Sequence, residues 1–95
     1  MKPLTLRKSG RLLSPPQTKR LRSGFVVLKP GQSVGEHTTG KREEIIIVLK
    51  GTARLLANRK NKKIKATSVA YNPPHTVHNV TNCGKNALQY IYVVS

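Results

Sequence analysis

The residue types that could bind a metal or move a proton fall into two short stretches of this chain. Every carboxylate lies between residues 36 and 44, beside a histidine, and two more histidines follow thirty residues later. Imidazole with carboxylate is the ligand set of Zn, Fe, Mn, Ni or Cu sites. A strand histidine is also commonly a hydrogen-bonded structural residue, so residue types alone leave both readings open. The candidates are His37, Glu36, Glu43, Glu44, His75, His78 and Asn82.

The positions of these candidates along extended segments narrow the set. His37 and Thr39 are two residues apart, so on a strand they point to the same side. Glu44 opens the most apolar run of the chain, where a carboxylate without a partner would be costly to bury. No nucleophile lies beside a base in the sequence, which disfavours catalysis without a metal.

The elements that would position these residues are short and rich in β-forming residues. Turn signals with Gly, Pro and Asn separate them, and no stretch keeps a helical period over three turns. The sequence therefore predicts an all-β, antiparallel sandwich or barrel over residues 21–95, preceded by an irregular N-terminal arm over residues 1–20. The run IIIVL further predicts a strand covered on both faces. The predicted strands cover residues 25–28, 44–49, 52–57, 63–71, 75–80 and 87–94.

Length, charge and cysteine content limit the partners. A chain of 95 residues forms one domain, and its apolar runs favour a homodimer. The single cysteine, Cys83, is expected to be inert and suits a cytoplasmic protein, and no apolar run is long enough for a membrane helix. A net charge of +15 attracts anions. No aromatic residue lies within the basic clusters, so any nucleic-acid binding should be weak and non-specific.

At this point the sequence resembles a known family, the cupins. The first cupin motif, G(X)5HXH(X)3–4E(X)6G, is matched at Gly31, His37, Glu44 and Gly51, with Thr39 in place of the second histidine. The second motif, G(X)5PXG(X)2H(X)3N, is matched at Pro73, His78 and Asn82. Thr67 and His75 occupy the places where glycines are usual.

The resemblance implies a small single-domain cupin, an RmlC-like double-stranded β-helix or jelly-roll barrel. It implies a divalent metal, Zn, Fe, Mn, Ni or Cu, held inside the barrel by His37, Glu44 and His78. Thr39 would line the same pocket and offer a hydroxyl instead of a nitrogen. His75 is expected to be a turn residue, and Asn82 a turn or hydrogen-bonding residue.

The function implied by the resemblance is binding of a small anionic ligand or substrate at this metal. The reaction would be that of a metal-dependent oxygenase or isomerase. A non-catalytic small-molecule binder and a basic nucleic-acid-associated protein are the alternatives, so enzymatic activity stays open at this stage.

Overall fold

Short runs of β-branched and aromatic residues, each ended by a turn, build nine strands in this protein. The structure, a computed structural model, describes all residues from 1 to 95 and contains no helix. It therefore has no helix with the length and apolar character needed to span a membrane. The strands are β1 Gly10–Leu13, β2 Arg22–Leu28, β3 His37–Thr38, β4 Glu44–Lys50, β5 Thr52–Ala57, β6 Lys60–Lys65, β7 Ser68–Asn72, β8 Val77–Asn82 and β9 Leu88–Val94.

The strands form two antiparallel sheets. The first sheet has the order β1-β2-β9-β4-β7 and the second the order β3-β8-β5-β6. From β2 to β5, and again from β6 to β9, each strand lies in the opposite sheet to the one before it. This path confirms the predicted all-β jelly roll.

The core lies between the two sheets. Inward-facing residues of β4 and β9, such as Val48 and Leu88, are fully buried and pack with Ala53 and Val80 of the second sheet. On β4, burial alternates along the strand, and Ile45 stays 37% exposed on the outer face. Within a single chain only the inner face of this strand is packed, and cover of the outer face by a second subunit stays a prediction.

Two predicted segments differ in the structure. The single strand predicted over residues 63–71 is two strands, β6 in the second sheet and β7 in the first. Strand-forming residues continue from β6 into β7, so the sequence pattern does not indicate that the chain changes sheet there. Residues 1–20 are not irregular throughout, because residues 10–13 pair with β2 as strand β1. The domain boundary at residue 21 stays a prediction.

A close contact between β2 and β9 shapes the inner surface of the first sheet. Gly24 pairs with Tyr92, and a Cβ atom at residue 24 would lie only 2.5 Å from Cε1 of the Tyr92 ring. Real Cβ atoms do not approach other atoms so closely. The absence of a side chain at Gly24 therefore makes room for the Tyr92 ring. The ring in turn forms part of the cavity wall described below.

Candidate metal centre

The two sheets bring three sequence-predicted residues together. His37 on β3 pairs directly with His78 on β8, and Glu44 is the first residue of β4 in the opposite sheet. The ligand atoms of these three side chains all lie within 4.8 Å of one another. Their assignment as metal ligands remains a prediction. The contacts of each side chain show whether it is oriented as a metal ligand would be.

His78 is the most constrained of the three. Its ring is buried, and Nδ1 lies 3.0 Å from the Thr76 carbonyl oxygen. A carbonyl can only accept, so in the neutral imidazole Nδ1 carries the proton and Nε2 presents a lone pair. Nε2 is 3.0 Å from Oε1 of Glu44, yet it has no hydrogen-bond partner. In the neutral tautomer this contact is not a hydrogen bond, because two acceptors that face each other have no proton between them.

Glu44 is a buried carboxylate whose polar neighbours are the Asn72 amide and the His78 ring, and the contact with His78 is an ion pair when that ring is protonated. The side-chain amide of Asn72, opposite it on β7, donates to Oε1 at 3.1 Å. No lysine or arginine lies within 4.0 Å of it. A buried charge is costly unless it is paired or coordinates a cation. Burial raises the pKa of nearby Tyr90, and the Glu44 carboxylate raises it further, so this hydroxyl stays protonated and can donate.

His37 repeats the arrangement of His78 at the open side of the site. Its Nδ1 lies 2.9 Å from the Gly35 carbonyl oxygen, which leaves Nε2 with the lone pair. The two imidazole rings meet edge to face, with centroids 4.0 Å apart. Unlike His78, His37 is exposed, so one side of the cluster faces the solvent.

These contacts fit a divalent transition metal. Metal-binding histidines characteristically donate the second ring nitrogen to a carbonyl or carboxylate, which fixes the tautomer and the ring orientation. Both histidines do this here, and the unpartnered Nε2 of His78 faces the buried carboxylate. Two nitrogens and one carboxylate oxygen match the donor set of Zn and of non-haem Fe sites, and Mn, Ni and Cu accept the same ligand types.

Thr39 lies in the cavity wall, but its hydroxyl is not directed to the cluster. Oγ1 donates to the Pro73 carbonyl at 2.8 Å and accepts from the Thr76 backbone N–H at 3.0 Å. Thr39 thus lines the cavity as expected, but its hydroxyl is bonded to the neighbouring turn. Thr39 instead fixes the turn whose Thr76 carbonyl orients His78. Thr76 Oγ1 is the other buried side-chain polar atom without a partner, and nothing in the structure explains it.

The remaining candidates lie outside the cluster. His75 is exposed in the turn with a φ of 59°, the conformation that favours glycine, as expected for a turn residue. Asn82 donates through Nδ2 to the carbonyls of Leu28 and Asn86, so it holds loops together. Glu43 accepts from the Tyr71 hydroxyl at 2.7 Å, a bond that raises the pKa of Tyr71. Glu36 is exposed, and neither it nor Glu43 forms an ion pair.

A cavity of about 560 Å³ opens onto the cluster. Its wall includes the buried side chains of Ile46, Val80 and Tyr90. It also includes three arginines that the sequence does not assign to the site, Arg11, Arg22 and Arg42. The only available signal was the excess of positive charge, which does not distinguish an arginine in a cavity from one on an open surface.

Comparison with known proteins agrees with this architecture. The family profile of the cupin domain matches residues 24–94. Among curated proteins, none matches the chain. A cupin 2 conserved barrel domain protein from Salinispora arenicola superposes with a TM-score of 0.79 at 29% identity, over 99% of this chain and 86% of that one.

Two further solved structures share the fold at lower identity. An RmlC-like cupin family protein with a double-stranded β-helix fold from Methanocaldococcus jannaschii has a TM-score of 0.79 at 19% identity, over 90% of this chain and 75% of that one. A predicted oxalate decarboxylase from Thermotoga maritima has a TM-score of 0.75 at 22% identity, over 96% and 97% of the two chains. At these identities the likeness concerns the fold alone. Since the family profile spans most of the sequence, the chain belongs to the cupin domain family.

Proposed function

We propose that this protein binds a divalent transition metal through His37, Glu44 and His78 and uses the adjoining cavity to bind a small anionic molecule. The observation that carries the proposal is the buried Nε2 of His78, which has no hydrogen-bond partner and lies 3.0 Å from Glu44 Oε1. A cation between these atoms would satisfy both groups at once.

The charge of the cavity supports an anionic ligand. Three arginines and a single carboxylate, Glu44, line it. Its volume falls in the range of about 300–1,000 Å³ that is typical of small-molecule sites. Tyr90 adds a neutral hydroxyl that can donate to a bound oxygen.

The protein's own residues provide binding and orientation in this cavity. His78 and Glu44 are fixed by Thr76 and Asn72, and the buried apolar wall excludes water from one side. A bound divalent metal supplies Lewis acidity or, with a redox-active ion, oxygen activation. An oxygenase or isomerase activity would depend on that chemistry. The other titratable wall residues are arginines and tyrosines.

The residues of the cavity wall also favour a second candidate function, which is non-catalytic binding of a small anion. Outside the three proposed ligands, the wall offers no carboxylate, histidine, cysteine or lysine that could act as a general base. Binding by the metal and the arginines needs no such group. The relative with a predicted oxalate decarboxylase activity does not decide between the two candidates, because it shares only the fold.

Calorimetric titration of untagged, metal-stripped protein with Zn²⁺ tests the metal site. His78→Ala should weaken binding by more than about tenfold, because it removes a buried ligand. His75→Ala is the matched control, since this exposed histidine lies three residues away and outside the cluster, and it should leave the affinity unchanged. Equal losses in the two variants, or no binding by the wild-type protein, would contradict the proposed site.

A further inference from the structure

Three arginines from separate parts of the chain meet in the wall of the cavity. Arg11 lies on β1, Arg22 opens β2, and Arg42 lies between β3 and β4. None of the three guanidinium groups lies within 4.0 Å of a carboxylate, and none makes a side-chain hydrogen bond within the protein. Three arginines without an ion-pair partner therefore line the cavity, with Arg11 and Arg22 exposed and Arg42 half-buried.

The strand register places two of these arginines on the same face as the proposed metal ligands. Arg22 pairs with Val94 on β9, and Val94 pairs with Glu44 on β4. Residues paired across a sheet point to the same side, so Arg22 and Glu44 face the cavity from one row. Two strand spacings separate their backbones by about 10 Å. In a neighbouring row, Arg11 pairs with Gly24, and the Tyr92 ring of the cavity wall lies over Gly24 in the same row.

Arg42 lies in the turn between β3 and β4 and also lines the cavity. It is half-buried, two residues before Glu44, and its backbone N–H donates to the Thr39 carbonyl at 3.0 Å. This bond fixes the turn that follows β3. The arginines are thus held by the sheet and by a turn, while their charged ends are available to a ligand.

We propose that Arg11, Arg22 and Arg42 form an anion subsite beside the metal ligands, and that the natural ligand is a small molecule with two acidic groups. The inference rests on the proposed function: one acidic group would bind the metal, and the other would bind the arginines. Guanidinium groups bind carboxylates and phosphates through paired N–H donors, so a dicarboxylate and a phosphorylated carboxylic acid are the ligand classes that fit.

The N-terminal segment completes this subsite. Besides Arg11, it supplies Leu13, Ser14 and Pro15 to the cavity wall. The Ser9 hydroxyl ties the start of β1 to β2, donating to the Phe25 carbonyl at 3.3 Å and accepting from the Val27 N–H at 3.2 Å. Arg11, Leu13, Ser14 and Pro15 are therefore part of the proposed binding site, and the N-terminal segment is not only an arm attached to the barrel.

The experiment compares acids of matched size by calorimetry at constant ionic strength. Malonate, succinate, glutarate and phosphonoacetate carry two acidic groups, and propionate and butyrate carry one. Each is titrated into Zn²⁺-loaded and into metal-free protein. We expect at least one dianion to bind the wild-type protein about tenfold more tightly than the monoanions, because it gains charge-assisted hydrogen bonds. Arg22→Gln and Arg42→Gln should remove this preference, so that the dianions no longer bind more tightly than the monoanions.

Arg54→Gln is the control for loss of charge alone. Arg54 is exposed on β5 and does not line the cavity, so this variant should keep the dianion preference. The subsite is overturned if no dianion binds more tightly than the monoanions, or if the cavity variants weaken both classes equally. A different result would contradict the proposed metal site, namely that Zn²⁺ leaves the affinity of the protein for every acid unchanged. The dianion preference of metal-free protein then still reports on the arginines.

Discussion

At residue 39 a threonine stands where the cupin motif has its second histidine. Its hydroxyl accepts from the Thr76 N–H and donates to the Pro73 carbonyl, and the Thr76 carbonyl holds Nδ1 of His78. Thr39 therefore acts on the proposed metal centre through the orientation of His78. A histidine at this position would remove that support, so the structure does not favour Thr39→His as a way to tighten metal binding.

Thr39→Val should lower the free energy of unfolding by about 1–3 kcal/mol, because the buried Thr76 N–H loses its acceptor. Zn²⁺ affinity should fall as well, and Thr39→Ser should restore both properties by returning the hydroxyl. Urea denaturation and calorimetric titration measure the two effects. Thr38→Val, at an exposed neighbour, should leave Zn²⁺ affinity unchanged. Unaltered affinity in Thr39→Val would refute the positioning role.

The sequence predicts residues whose spacing is fixed by local motifs. The resemblance to the cupin motifs identifies His37, Glu44 and His78, and the structure brings their ligand atoms together. Asn72 and the three cavity arginines could not be found, because their position depends on which strands pair and in which register. Register is set by tertiary packing, and a shift of one residue would turn Arg22 to the opposite face.

At the scale of the elements, the contact between β2 and β9 depends on the missing side chain of Gly24. Its neighbour Tyr92 occupies the space that any other residue would need. One feature of the strands cannot be predicted from the sequence. Composition predicts the strands but not the passage from β6 to β7 between two sheets, since a change of sheet needs no break in β-forming residues.

Gly24→Ala should displace the Tyr92 ring and reduce stability by about 1–3 kcal/mol through overpacking. Gly10→Ala is the control, because no atom lies within 4 Å of the position that the added methyl group would take on β1, and its effect should stay within about 0.5 kcal/mol. Combining Gly24→Ala with Tyr92→Ala should cost less than the sum of the single changes. Additive losses measured by urea denaturation would show that the two residues do not compete for space.

At the scale of the whole molecule, the outer face of the first sheet remains apolar. Ile45, Val69 and Tyr71 are 37%, 64% and 55% exposed, and they lie on the adjacent strands β4 and β7. Pairing of Ile45 with Tyr71 and of Ile47 with Val69 makes these side chains one continuous surface. A small protein gains stability by covering such a surface.

We therefore expect a homodimer that buries this face. Light scattering at tens of micromolar protein should give twice the mass of the chain, and Val69→Asp should shift it toward the monomer. Val77→Asp is the matched control, because Val77 is similarly exposed but lies on the second sheet. A monomer mass for the wild-type protein at this concentration would rule out the dimer.

The hairpin of β5 and β6 concentrates positive charge on the second sheet. Arg54 and Lys63 are directly paired, and Lys60, Lys62 and Lys65 lie on the same edge strand. Like charges placed opposite each other in a sheet repel, and an anionic polymer would relieve this repulsion.

Binding of nucleic acid to this hairpin should be weak, independent of sequence and abolished by moderate salt, because it would rest on phosphate contacts alone. Fluorescence anisotropy against salt concentration measures it. Lys62→Gln with Lys63→Gln should reduce the salt slope, whereas Lys85→Gln, in the turn between β8 and β9, should change it less. Strong preference between sequences, or binding that survives about 0.5 M salt, would contradict a purely electrostatic interaction.

The cavity wall also contains most of the side chains from which this protein fluoresces. The chain contains three tyrosines and no tryptophan, and two of the three, Tyr90 and Tyr92, line the cavity. Tyrosine emission is therefore not masked by an indole acceptor, and most of its sources lie beside the proposed ligands. Cu²⁺ or Ni²⁺ bound there would quench that emission, while Zn²⁺ would not. The intrinsic fluorescence of the unmodified protein thus reports on occupancy of its own cavity.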